Sequence, residues 1–80
     1  MYAIVDIETT GGFAGRSKIT EIAIFIHDGE KVIDHYETLI DPEQHIPNYI
    51  TGLTGISNAT VKKAPTFKDV ATIIHEKLEG

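Results

Sequence analysis

The sequence has no cysteine. That excludes disulfides, a thiolate nucleophile and a cysteine-bound zinc. It also has no apolar run long enough to cross a bilayer. No charged start leading into a long apolar stretch and a cleavage site marks a secretory leader. A cytoplasmic protein with no membrane partner is expected. Positive charge is scarce: 7 Lys and Arg stand against 12 Asp and Glu, for a net charge of −5. Nucleic-acid binding usually leaves a basic footprint, so this balance speaks mildly against it. A site built from carboxylates, however, stays negative until cations load it. The histidines offer no ligand spacing. His27 falls at a hairpin end, His35 on a strand, His45 in a loop and His75 on the last helix, and each reads as a surface residue.

What is present is an ordinary globular composition, 41% hydrophobic and 24% charged over 80 residues. A chain this short buries only about 60% of the surface it exposes unfolded, so its core is thin. Tyr2 to Glu8 reads as a strand. Ala3, Val5 and Ile7 form one apolar face; Tyr2 and Ile4 form another, until Asp6 and Glu8 replace them. A strand apolar on both faces belongs in the middle of a covered sheet. Thr9 to Ser17 reads as loop, and Lys18 to His27 as a second strand with Ile22, Ile24 and Ile26 on one face. Asp28-Gly29 is a short hairpin signal, because both residues tolerate positive φ. Lys31 to Ile40 then returns as an antiparallel third strand. Pro47 is placed to open a short helix through Leu53, closed by Gly55. Ser57 is placed to cap another through Lys63. Thr66 and Asp69 make a capping-box-like pair ahead of a longer helix with Phe67, Val70, Ala71, Ile74 and Leu78 on one face. Gly80 stands where a C-terminal cap belongs. The pattern is an α/β or α+β start, three antiparallel strands followed by helices. Covering both faces of the first strand calls for further elements.

The chemistry concentrates in Asp6-Ile7-Glu8-Thr9-Thr10-Gly11. Side chains at i and i+2 on a strand share a face, with Cα atoms roughly 6.6 Å apart. Two such carboxylates can converge on hard cations such as Mg²⁺ or Mn²⁺. The metal pair of phosphoryl-transfer enzymes, about 3.5–4 Å apart, suits that spacing. Thr9, Thr10 and Gly11 add hydroxyls and N–H donors beside the acids, where a sugar hydroxyl or phosphate is readily held. Gly11 and Gly12 allow close approach to the backbone. Acids at a strand end also simply mark where it meets solvent. Here they interrupt an otherwise apolar face, which favours a site.

These residues resemble the first motif of DEDD-superfamily 3′→5′ exonucleases, in particular proofreading enzymes such as the DNA polymerase III epsilon subunit. Ile19-Thr20-Glu21-Ile22-Ala23 resembles the family's second strand. Tyr49-Ile50-Thr51-Gly52-Leu53-Thr54-Gly55-Ile56 resembles its Leu-Thr-Gly-Ile segment. Ala64-Pro65-Thr66-Phe67, with Val70 and Ala71, resembles the opening of its first long helix. The resemblance implies a ribonuclease-H-like α/β fold, of which residues 1–80 are the N-terminal portion of a single exonuclease domain. It implies two-metal hydrolysis, with Mg²⁺ or Mn²⁺, at the 3′ end of single-stranded nucleic acid. Asp6 and Glu8 match metal-binding, catalytic acids. Thr9, Thr10, Gly11, Leu53 and Thr54 match residues that hold the terminal nucleotide. A DNA polymerase subunit or a fused nuclease domain is the implied protein partner. The family's Asn-x-x-Phe-Asp and His-x-x-x-x-Asp segments do not occur in these residues. An RNA-trimming relative, or a fragment without turnover, is the alternative.

Other features are weaker. Gly11 to Lys18 resembles a phosphate loop, but its glycine spacing is one short and Arg16 stands where Lys is needed. Arg16 and Lys18 are open between touching a substrate phosphate and being solvated loop charges, with the second favoured. Glu21 is open between a group beside the metals and a solvent-facing strand end. Phe13 and Tyr49 are candidates to stack a base, with anchoring roles in core or loop favoured.

Overall fold

The computed structural model describes residues 1–11 and 17–79. Three strands, β1 (Tyr2–Thr9), β2 (Ile19–His27) and β3 (Val32–Leu39), precede three helices, α1 (Asn48–Thr54), α2 (Asn58–Val61) and α3 (Phe67–Glu79). The strands form one antiparallel sheet in the order β1-β2-β3.

The turn chemistry follows local rules, with two shifts. The hairpin uses Gly29 at φ 106°, but Asp28 works through its side chain. Its carboxylate accepts N–H bonds from Glu30 at 2.8 Å and Lys31 at 3.0 Å. The loop therefore runs to Lys31, and His27 pairs with Val32. Pro47 is the N-cap of α1 rather than its first helical residue. Gly55 ends α1 at φ 77°, donating its N–H to the Thr51 carbonyl at 2.8 Å. The Ser57 hydroxyl accepts the Thr60 N–H at 3.1 Å and caps α2, which stops at Val61. Asp69 accepts the Thr66 N–H at 3.0 Å, starting α3. Gly80 lies outside the described residues.

The two faces of the sheet differ. One carries Ile22, Ile24 and Ile26, and α3 packs on it through Val70 and Ile74, with Ile40 completing the cluster. Lys77 in the last turn of α3 reaches Asp34 of β3 at 2.7 Å, tying the helix across the sheet. Phe67 and Leu78, expected on the buried stripe, are 46% and 47% exposed. They stand near the two ends of the helix, where they line shallow surface hollows with Ile19 and Ile26 at the two ends of β2. The other face holds Tyr2, Ile4, Asp6 and Glu8 of β1, each opposite His27, Phe25, Ala23 and Glu21 in turn. It is covered only at one end. There Leu39 meets a second cluster of Ile46, Ile50, Ile56 and Val61, which belongs to α1, α2 and their flanks.

β1 corrects an expectation. It is an edge strand, not a central one, and Ile4, Val5 and Ile7 are 50%, 46% and 45% exposed. The one helix long enough to cover a sheet face settles over β2, which has a strand on each side. Among the described residues nothing pairs with the outer edge of β1.

Candidate active site

Rows of paired residues place the acids. Asp6 aligns with Ala23 and Glu37, and Glu8 with Glu21 and Leu39. All of them belong to the face that α3 leaves open. Asp6 and Glu8 thus share that face, as the strand period requires. Neither forms an ion pair among the described residues, where the bridges are His75–Glu79 and Lys77–Asp34. Just beyond them the register breaks. Glu8 pairs with Glu21 but Thr9 pairs with Ile19, so Thr20 is an extra residue in β2. Such a bulge twists a strand and re-aims its side chains, here beside the two acids.

The loop after β1 is held by side chains. The Thr9 hydroxyl accepts the Gly11 N–H at 3.1 Å. The Thr10 hydroxyl donates to Gln44 at 2.6 Å and accepts the Lys18 N–H at 3.1 Å. Thr10 is fully buried, so its polar atoms serve the loop. Gly11 sits at φ 72°, and a Cβ there would stand 2.4 Å from the Ile50 side chain and 3.5 Å from the Tyr49 hydroxyl. Only a glycine lets α1 come this close. Leu53, one turn further, is 80% exposed. The Thr54 hydroxyl turns inward, donating to the Ile50 carbonyl at 3.0 Å and accepting the Ile56 N–H at 3.1 Å.

The structure therefore brings Asp6, Glu8, Gly11 and α1 to one end of the open face, while Thr9, paired with Ile19, alternates to the other side of the strand. Residues 12–16, which include Gly12, Phe13, Gly15 and Arg16, lie outside the described residues. Glu21 lies directly across from Glu8. Like charges so placed repel, and a bound cation would offset that. Among the described residues no group of three or more His, Asp or Glu is arranged to hold a metal. By donor type, and by lacking a protein counter-ion among the described residues, Asp6 and Glu8 suit a hard divalent cation. Two anchors escaped the sequence reading. Gln44 fixes Thr10, and Asn58 clamps Ile46 through bonds of 2.8 and 3.0 Å. All three bonds join distant residues, and no local signal announces them.

Comparison with known proteins decides the family. A model of the exonuclease family, RNase_T, matches residues 3–80. The chain belongs to this exonuclease family, within the DEDD superfamily. Relatives in the family include proteins named 3′-5′ exonuclease DinG. The one from Staphylococcus saprophyticus is 34% identical over 99% of this chain, and that from Staphylococcus aureus 36% over 98%. The chain spans about 9% of the length of these curated relatives. Among solved structures, exonuclease X in complex with 5′-overhanging duplex DNA superposes with a TM-score of 0.76 at 25% identity, over 98% of this chain and 54% of that one. A full-length 3′-exonuclease gives a TM-score of 0.80 at 20% identity, over 94% of this chain and 27% of that one. The second likeness speaks for the fold alone. The strands and helices described above follow the ribonuclease-H-like exonuclease fold of these proteins.

Proposed function

We propose that these residues are the N-terminal portion of a single 3′→5′ exonuclease domain that hydrolyses the terminal phosphodiester of single-stranded nucleic acid. The observation that carries this reading is the pair Asp6 and Glu8, side by side on the uncovered sheet face and without a cationic partner among the described residues. Mg²⁺ or Mn²⁺ held there would supply charge stabilisation to the phosphate and a nucleophilic water at neutral pH. Asp6 and Glu8 provide oxygen ligands. Thr9 keeps its own O–H proton available to a phosphate or sugar oxygen while accepting from Gly11. Leu53 offers an exposed apolar contact for the terminal base. Thr10 and Thr54 contribute by fixing the loop and the end of α1, since their hydroxyls already have partners.

In this reading the remaining acid ligands and the general base come from elsewhere in the full domain, so residues 1–80 alone do not turn over substrate. We assign DNA as the substrate, in keeping with the structural neighbour solved in complex with DNA. A polymerase partner draws no support from relatives named DinG, and a nuclease domain fused to other segments suits their length better. The test is release of a labelled 3′ nucleotide from single-stranded DNA and RNA by the full-length chain with Mn²⁺. Asp6→Ala and Glu8→Ala are each expected to lower the rate on the order of 10³-fold or more while leaving the melting temperature in place. Cleavage that survives both changes overturns the reading, and a preference for RNA overturns the DNA assignment.

A further inference from the structure

Positive charge is scarce in this chain, and it is not spread evenly. Lys18, Lys62, Lys63 and Lys68 are four of the six described lysines, and all four are exposed. None of them is in an ion pair among the described residues, where the lysine bridge is Lys77–Asp34. The fold gathers them at one end of the sheet. Lys18 immediately precedes β2, and its backbone is bonded twice to Thr10, two residues beyond Glu8. Thr10 donates its N–H to the Lys18 carbonyl at 2.9 Å, and its hydroxyl accepts the Lys18 N–H at 3.1 Å. The connection from α2 to α3 is held at the same end, where Asp41 donates its N–H to the Pro65 carbonyl at 2.8 Å and bridges Thr66. Residues 62–69 carry three lysines against one acid, in a chain of net charge −5. That acid, Asp69, accepts the Thr66 N–H, and Asp41 accepts the Glu43 N–H, so both serve the backbone. Between the two segments lies a shallow hollow lined by Ser17, Lys18, Ile19 and Phe67. Ile19 packs against the α3 cluster, which puts the hollow on the covered side of the sheet. The Phe67 ring stays 46% exposed there, with Lys68 next to it in the chain.

We infer that this hollow is a track for the single strand on the 5′ side of the terminal nucleotide, with Lys18 and Lys68 against its phosphates and Phe67 beneath a base. This rests on the nuclease reading above and extends it round the sheet end, to residues apart from the acids and from α1. Charge complementarity selects the occupant. Unpaired cations bordering an exposed ring suit a polyanion with flat bases, and every base has a π-face, so the contact is tolerant of sequence. The acidic face, by contrast, repels phosphates until divalent ions load it. Cations set away from Asp6 and Glu8 attract the backbone without neutralising those two acids. The loop after β1 joins the two places. A strand whose last phosphodiester lies at Asp6 and Glu8 passes Thr10 before it reaches Lys18. Such phosphate contacts fix register and orientation and carry no sequence information.

The experiment uses the full-length chain with Ca²⁺ in place of the catalytic ion, and measures binding of a thymidine dinucleotide and a thymidine dodecanucleotide over a range of salt concentrations. For the longer strand, Lys18→Gln combined with Lys68→Gln is expected to weaken binding on the order of tenfold and to reduce the salt slope by about 0.7 for each lysine. Phe67→Ala is expected to weaken it on the order of tenfold, with Phe67→Tyr restoring it. The dinucleotide, which ends before the hollow, is expected to bind every variant equally, and the lysine variant to melt with the unaltered chain. The inference is overturned if the lysine changes leave the affinity and salt slope of the longer strand in place. It is overturned equally if the dinucleotide loses as much, or if Phe67→Tyr behaves like Phe67→Ala. Lysine-dependent binding of polyglutamate, with the longer strand unaffected, assigns the patch to an acidic protein segment and also overturns it. The two readings separate. Strand binding that depends on Lys18, Lys68 and Phe67 without Asp6-dependent cleavage leaves the track and removes the nuclease. Asp6-dependent cleavage with binding indifferent to these three residues does the reverse.

Discussion

One sheet presents two faces of unequal polarity and opposite fate. On the first, Ile22 and Ile24 of β2 are buried under Val70 and Ile74 of α3. On the second, Tyr2 and Ile4 of β1 stay half exposed beside Phe25, and the row ends in Asp6 and Glu8. The side that became core is the one with fewer charges along its strands. A long helix can cover one face, and it covered the face with no charge near its centre. The acids survive on the other because solvating a carboxylate there costs nothing, while burying one unpaired costs several kcal/mol. The open face is therefore the less buried side of the sheet.

Substitutions sharpen this contrast. The largest stability effect is expected in the covered core. Ile24→Ala, at a fully buried site, should cost about 3 kcal/mol in urea unfolding, against less than about 1 kcal/mol for Ile4→Ala on the open face. Equal costs would mean that the open face is packed in solution. Next is Gly11→Ala, which sets a Cβ 2.4 Å from the Ile50 side chain at a φ of 72°. It should cost about 2 kcal/mol and shift α1 away from the acids, visible as chemical-shift changes at Tyr49 and Leu53. Ser57→Ala removes the cap of α2 and should cost about 1 kcal/mol without disturbing the α3 face.

The smallest effect is electrostatic. The Lys77 ammonium, bonded to Asp34, holds that carboxyl below its ordinary value of 3.8, while Asp28 is held low by the backbone N–H groups of Lys31 and Glu30. A depressed folded pKa stabilises above the unfolded value and is lost as pH falls through the folded one. Both contributions should therefore be intact at neutral pH and fade only below pH 3.8. Lys77→Ala should return Asp34 toward its ordinary titration, measured by NMR, with Asp28 unchanged. Both groups lie at the surface, so the effect on stability is small.

Much of the molecule was legible because its signals are short-ranged. Gly55, Ser57 and Asp69 act on groups three or four residues away, and each ends or starts a helix as its chemistry demands. The Asp28 turn was located correctly, though its side chain replaced the second positive φ. The exposure of β1 was not legible. Its residues describe a central strand, and its position depends on what else pairs with its edge. The hidden roles of Thr10 and Thr54 had the same origin. A hydroxyl in a motif looks available until its partner is known, and the Thr10 partner Gln44 is 34 residues away.

The sequence alone determined that Asp6 and Glu8 share a face, because alternation is built into an extended backbone. It also determined the kind of each element and the family motif. Only the tertiary structure decided that α3 takes the opposite face, that Thr20 bulges beside Glu8, and that α1 closes on Gly11 with Tyr49 and Leu53 outward. These outcomes depend on contacts between segments distant in the chain, whose energies are set by fit among many side chains rather than by any residue's own preference.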